Sequence, residues 1–287
     1  MIKLYEVGGS IRDELLGRPN NDRDFVAVCP QGWDALVKWS EDNLDKVFLV
    51  NPQFFTLRGK RGNKVIDIVM ARKDGAYSDG RRPDTVEPGT LEDDLLRRDF
   101  TMNALAREVD LETFEPVSPG GIIDICSGLE DIRTKEIKIV TRSDVHYGDG
   151  ELSQARAQQF QRMIEDPLRL IRAIRFSGVL GFSLDSRIKN ILKFDEFHDA
   201  DEDTLVDRYK TLDLKPSELI KGIARERVCV ELTKLFKDYP IQGCAMFAGV
   251  TSKDLYDYQF DHSIHPDISK AIFGDDIWLK PTMEKRK

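Results

Sequence analysis

One stretch constrains the fold of this chain more than any other: Lys3–Val28, KLYEVGGSIRDELLGRPNNDRDFVAV. It reads as an apolar strand, a Gly-Gly turn, a short helix and a second strand opening on Asp22-Arg23-Asp24. A glycine turn feeding a helix can hold phosphate, because free backbone N–H groups and the positive end of the helix dipole converge there. Gly8 and Gly9 permit close backbone approach, and Arg12 adds a fixed positive charge. Ser10-Ile11-Arg12-Asp13 fits a capping box with Ser10 as N-cap. Strand side chains alternate, so Asp22 and Asp24 share a face while Arg23 points the other way. A carboxylate pair of this kind suits Mg²⁺, the usual companion of triphosphate chemistry. Two-metal chemistry wants a third acid, and Asp67 in the apolar run VIDIVMA supplies one. The plainer alternatives are a capped helix after a tight turn and, for Asp67, a solvent-facing place on an alternating strand.

The 287 residues can bury a sizeable core in one to three domains, and 33% charged with 40% hydrophobic residues is ordinary for a globular protein. No apolar run is long enough to span a bilayer, and Met1–Tyr5 leads into a strand rather than a signal peptide. Cys29, Cys126, Cys229 and Cys244 lie far apart without a CxxC pair, which points to a reducing cytoplasm. A net charge of −8 argues against wholesale wrapping of nucleic acid. RNA would have to be met by clusters such as Arg58-Gly59-Lys60-Arg61, Arg81-Arg82 and Arg97-Arg98, with salt-sensitive binding.

Taken in order, Ile2–Val7, Phe25–Val28 and Lys46–Val50 read as strands, with a helix over Trp33–Asn43 between the last two. Phe54–Arg58 and Lys64–Ala71 read as a hairpin, Asp74–Gly89 as a mobile loop, and Leu91–Arg107 as one helix. Ile137–Val140 is strand-like. After about Leu152 helical spacing takes over, and a glutamine-rich helix face begins near Glu151. His198-Asp199 is an HD dipeptide, but none of His146, His262 and His265 is suitably spaced to complete a metal site with it. An α/β head followed by an α-helical remainder is the simplest architecture.

GGSIRDELLG followed by DRDF resembles the head signature of the class II nucleotidyltransferases, the tRNA CCA-adding enzymes and bacterial poly(A) polymerases. Further segments match in the same order. RKDGAYSDGRRPDTV (72–86) is similar to the family's flexible loop and DLLRRDFTMNALA (94–106) to its RRDFTxNA motif. IIDICSGLEDI (122–132) stands where a Pro-Phe-Gly-Gly turn is usual, EDPLRLIRAIRFSGVLGF (165–182) is close to the EDxxR helix, and RERVCVELTKLF (225–236) to the ERxxxE helix. The resemblance implies an α/β nucleotidyltransferase head, a mixed sheet with flanking helices over residues 1–140. An all-α neck (141–215) and a short helical body (216–287) would follow. It makes Asp22 and Asp24 the metal ligands, with Asp67 assisting catalysis. Gly8, Gly9, Arg12, Arg98, Asp99 and Asn103 would bind the nucleotide's phosphates and sugar, Asp166 and Arg169 would read its base, and Arg172 and Arg175 would also belong to the nucleotide-binding set.

The polarity of that pair fits the role. A carboxylate accepts and a guanidinium only donates, so Asp166 and Arg169 can choose C and A over U and G without a template. Without the flanking match, an i,i+3 surface salt bridge would be the default reading. The implied reaction is Mg²⁺-dependent addition of C and A from CTP and ATP to the 3′ end of tRNA or another RNA. CC-only, A-only and poly(A) addition are the alternatives within the class, and a catalytically idle RNA-binding relative lies outside it. Departures from the pattern are Arg23, where an apolar residue is usual, Ile125-Cys126-Ser127-Gly128 at the Gly-Gly turn, a reshaped 141–163, and a short stretch after Phe236 where tRNA-gripping domains are common.

Overall fold

Seven strands form one mixed sheet in the order β3-β4-β5-β2-β1-β8-β9 in the computed structural model. They are β1 (Lys3–Val7), β2 (Asp24–Val28), β3 (Lys46–Asn51), β4 (Thr56–Arg61), β5 (Lys64–Met70), β8 (Leu105–Val109) and β9 (Ile122–Asp124). The structure describes residues 1–19, 22–75, 85–117, 121–141, 160–197, 215–239, 243, 247 and 264–273. The β2–β5 pairing is parallel and the other pairings in this sheet are antiparallel. Two compact units result: Met1–Thr134 with Lys138–Val145, and Lys135–Ile137 with His146–Lys287.

Alternation along the strands gives the first unit two cores. On one face Leu4, Phe25, Ala27, Ile66 and Ile68 pack with Leu36, Trp33 and Trp39 of α2 (Trp33–Asn43). Cys29 is buried in this layer, its thiol donating to the Gly32 carbonyl at 3.3 Å. On the other face Tyr5, Val7 and Val26 pack with Leu91 and Leu95 of α3 (Leu91–Leu96). Each buried aliphatic side chain contributes about 1.5–3 kcal/mol relative to exposure, so both faces are firmly specified. Because the β2–β5 register sets Asp24 opposite Asp67, both acids lie on the α3 face, whereas Arg23 turns to the α2 face.

Several expectations change. The helix after the glycine turn, α1 (Gly9–Leu15), has Gly8 as its N-cap without any side-chain cap, so the Ser10/Asp13 capping box does not form. Ser10 Oγ instead donates to the Val7 carbonyl, and Asp13 is taken by Arg12. A full capping box occurs at Thr90 and Asp93, at the start of α3. The helix expected over Leu91–Arg107 stops at Leu96. Asp94 pulls Arg97 and Arg98 back toward the helix, Phe100 forms a bridge with Ile139, and a 3₁₀ turn (Thr101–Asn103) leads into β8. The loop expected over Asp74–Gly89 is closed at its base by β6 (Arg72–Asp74) and β7 (Val86–Pro88), with the Gly75 N–H on the Thr85 carbonyl at 2.8 Å. At the Ile125–Gly128 turn Asp124 does the work of capping. Its carboxylate accepts from the N–H groups of Cys126, Gly128 and Leu129 as α4 (Gly128–Thr134) begins.

The expected strand Ile137–Val140 divides between the units: β10 (Glu136–Ile137) pairs with β11 (Ser183–Leu184) in the second, and Ile139 bridges Phe100 in the first. The second unit is otherwise helical among the described residues: α5 (Leu168–Leu180), α6 (Ser186–Phe194), α7 (Pro216–Lys221), α8 (Arg225–Asp238) and α9 (Pro266–Phe273). The glutamine-rich helix near Glu151, the His198-Asp199 dipeptide and Arg81-Arg82 lie outside the described residues. No helix among the described residues is long and apolar enough to cross a membrane.

Candidate active site

The glycine turn supplies the floor of the site. Gly8 has φ 83°, a left-handed conformation that suits glycine, and its N–H donates to the Leu105 carbonyl at 3.0 Å. A Cβ at Gly8 would stand 2.8 Å from Arg98 Nη1, so a side chain there would displace the arginine. Arg98 also donates to the Asn103 carbonyl (3.4 Å) and to Asp94 (3.2 Å). Asp94 is fully buried. Burial alone would push its carboxyl up, but Arg97 and Arg98 win and hold it below the usual carboxylate range. Arg97 and Arg98, expected as an RNA-facing cluster, are thus turned onto one buried acid, and the sequence signal for it was the i,i+3 and i,i+4 spacing from Asp94.

The other side of the turn is an ordered polar chain. Arg12 Nη1 donates to Asn103 Oδ1 at 2.6 Å, Asn103 Nδ2 donates to Asp99 Oδ1 at 3.1 Å, and that oxygen also accepts the Phe100 N–H. Arg12 and Asn103 are both buried at 7% exposure. The RRDFTMNA segment therefore lies beside the glycine turn, bringing Gly8, Gly9, Arg12, Arg98, Asp99 and Asn103 into one neighbourhood.

Asp24 opens onto the same place. Although the residue is open to solvent on one side, the surrounding protein pushes its carboxyl above the usual range. Arg98 and Arg58 oppose this, and Asp67 and Asp22 reinforce it. Asp22 is exposed just before β2. Asp67 holds a partner that sequence reasoning missed: Arg58, directly opposite on β4, donates to both its oxygens, through Nη2 at 2.9 Å and through Nε. Nothing marks this pair in the sequence except the register that a hairpin turn at Gly62-Asn63 imposes.

The second unit holds the remaining expected residues. Asp166 and Arg169 do not sit on one uninterrupted helix, because Asp166 precedes the Pro167 cap and Arg169 lies in the first turn of α5. Asp166 pairs with Arg227 of α8 at 3.2 Å, and Arg169, buried at 6% exposure, donates to the Arg162 carbonyl. Arg172 and Arg175 both reach Glu231 of α8, which is 4% exposed. A separate trio, Asp195, His265 and Asp267, brings three ligating atoms within 4.8 Å of one another, so His265 does have carboxylate neighbours. Its geometry is that of helix ends: Asp195 accepts the Ser217 N–H and hydroxyl at the start of α7, and His265 Nδ1 accepts the Asp267 N–H at the start of α9. Asp22, Asp24 and Asp67 do not close into such a trio, Asp67 being drawn to Arg58.

Residues 4–138 match the family of the poly A polymerase head domain. That stretch belongs to the family. The head domain is the first unit's sheet with its flanking helices, and similarity continues past it. The chain is 32% identical to a CCA-adding enzyme of Oceanobacillus iheyensis over 81% of its own length and 46% of that protein's. It is 35% identical to an A-adding tRNA nucleotidyltransferase of Aquifex aeolicus over 67% of its own length and 20% of that protein's. The crystal structure of the Bacillus stearothermophilus CCA-adding enzyme in complex with CTP superposes with a TM-score of 0.59 at 27% identity, covering 87% of this chain and 49% of that one. The chain thus spans half or less of the length of these relatives.

Proposed function

We infer that this chain transfers CMP and AMP from CTP and ATP to the 3′-hydroxyl of tRNA, without a template and with release of pyrophosphate. The observation that carries this is the meeting of a left-handed glycine turn, Arg12, Arg98 and Asn103 with the carboxyl of Asp24. Cationic donors and anionic ligands at one place are what a metal–triphosphate complex requires. The similarity to CCA-adding and A-adding enzymes supports the choice of substrates.

The donor set fits a hard divalent cation. Burial and the acidic neighbours Asp67 and Asp22 disfavour the charged form of Asp24, and a cation beside it would restore that form. Asp22 and Asp24 would hold Mg²⁺, which when bound polarises the α-phosphate and favours the ionised 3′-hydroxyl. Arg12 and Arg98 neutralise the triphosphate, Asn103 and Asp99 orient the sugar, and Gly8 and Gly9 let the backbone donate to phosphate oxygens. Asp166 and Arg169 choose the base, the carboxylate accepting from the exocyclic amine that C and A share, the guanidinium donating to the adjacent ring nitrogen.

The test supplies Mg²⁺, tRNAs ending before, within and after CCA, and each nucleotide singly. Incorporation of C and A alone, stopping at CCA, is expected. Unlimited A addition would move the reading to a poly(A) polymerase, A addition after CC alone to an A-adding enzyme, and silence with every acceptor would overturn it. Asp24→Asn should abolish incorporation while the protein stays folded by circular dichroism.

A further inference from the structure

Behind the glycine turn and the aspartates, on the α2 side of the sheet, lies a charged network that the reaction as described does not use. Its hub is Glu6 of β1, 2% exposed. Oε2 of Glu6 accepts from Arg23 Nη2 at 2.9 Å and from Arg107 Nε and Nη2 at 3.2 and 2.9 Å. Burial alone would push this carboxyl up, yet the two arginines hold it below the usual range. Arg23 stands between Asp22 and Asp24, and it also donates to the Phe114 carbonyl at 2.6 Å and reaches Glu115 at 3.4 Å. Arg107 of β8 runs on to Glu14 of α1, with Nη1 on Oε1 at 2.9 Å.

One carboxylate therefore ties two elements together from the rear. Through Arg23 it grips the backbone that carries both aspartates, and through Arg107 it grips the helix that the glycine turn feeds. We propose that Glu6, Arg23 and Arg107 are positioning residues that set the distance between the metal-binding aspartates and the phosphate-binding turn. The proposal rests on the metal and phosphate roles assigned above. It gives Arg23, which stands where the resembled family usually has an apolar residue, a function. Arg23 faces away from the side on which Asp22 and Asp24 would hold a metal, but its anchors fix where residues 22 and 24 emerge from the sheet.

A structural role alone would lower stability and leave ligand affinities in step. A positioning role predicts a split. Arg23→Leu should weaken metal binding several-fold, read as Mn²⁺ uptake from the free-ion electron paramagnetic resonance signal, and leave nucleotide binding unchanged. Arg107→Leu should weaken ATP and CTP binding by isothermal titration calorimetry and leave Mn²⁺ uptake unchanged. Glu6→Gln should weaken both, and if it does not fold, the two arginine variants carry the test by themselves. Arg23→Lys, which keeps the charge, should recover part of the metal affinity. Both binding measurements need no turnover and use the full chain. Variants that melt earlier but bind Mn²⁺ and nucleotide like the wild type would overturn the proposal. A wild type that takes up no Mn²⁺ would instead overturn the metal assignment itself.

Discussion

Asp94 and Glu231 solve the same electrostatic problem over very different lengths of chain. Each is a buried acid holding two arginines: Asp94 takes Arg97 and Arg98 from the next turn, and Glu231 takes Arg172 and Arg175 from a helix 56 and 59 residues earlier. The local hub sits at a turn: both arginines follow the last residue of α3, where the chain enters the Phe100–Asn103 segment of the site. The distant hub joins two helices, α5 and α8, and so supports the segment that carries Asp166 and Arg169. The charge pairs within a few residues brace the end of one helix; those across the sequence tie two helices together.

The comparison can be broken by mutation. Asp94→Ala should have the largest effect, about 3–5 kcal/mol in urea unfolding, because it strands two arginines against a fully buried site. A loss under 1 kcal/mol would show that the local hub only decorates the turn. Glu231→Ala should cost less, about 2–3 kcal/mol, since Arg172 is 30% exposed and can turn to water. An effect equal to that of Asp94→Ala would erase the distinction.

Acid should act on the first unit through Asp94 and Glu6, whose carboxyls both lie below their ordinary values in the fold. A lowered folded value means that the stability they add is present above their unfolded pKa, about 4, and is lost as pH falls through the folded values. Thermal melting should therefore drop as pH falls below about 4, and Asp94→Asn should flatten that drop; an unflattened profile would assign the acid sensitivity elsewhere. The smallest effect is expected at the exposed Glu130–Arg133 pair, where Glu130→Gln should leave the melting temperature unchanged. A measurable shift there would mean that surface pairs rival the buried hubs.

Much of this architecture was legible in the sequence, for reasons that are local. The helix Trp33–Asn43 appears as its spacing predicts, and alternation places Asp24 and Asp67 on one strand face with Arg23 on the other. The motif residues from Gly8 to Asn103 gather because β1 and β8 are neighbours, a pairing no local pattern announces. Arg58 on Asp67, Arg227 on Asp166 and Glu6 between Arg23 and Arg107 were illegible for the same reason: each depends on which strands or helices become neighbours. The capping box misplaced at Ser10 shows the converse limit. Ser-x-x-Asp was present, but Arg12 takes the Asp13 carboxylate, and Gly8 rather than Ser10 stands at the N-cap.

Cys29 gives the molecule a built-in gauge. Its thiol is shut in beneath α2, whereas Cys229 on α8 is exposed. A thiol-reactive label should modify Cys229 at once and reach Cys29 only when the α2 layer lifts from the sheet. Mass spectrometry of timed labelling would then report opening of the seven-stranded sheet at a single named atom, in wild type and in every variant above, without a probe having to be introduced.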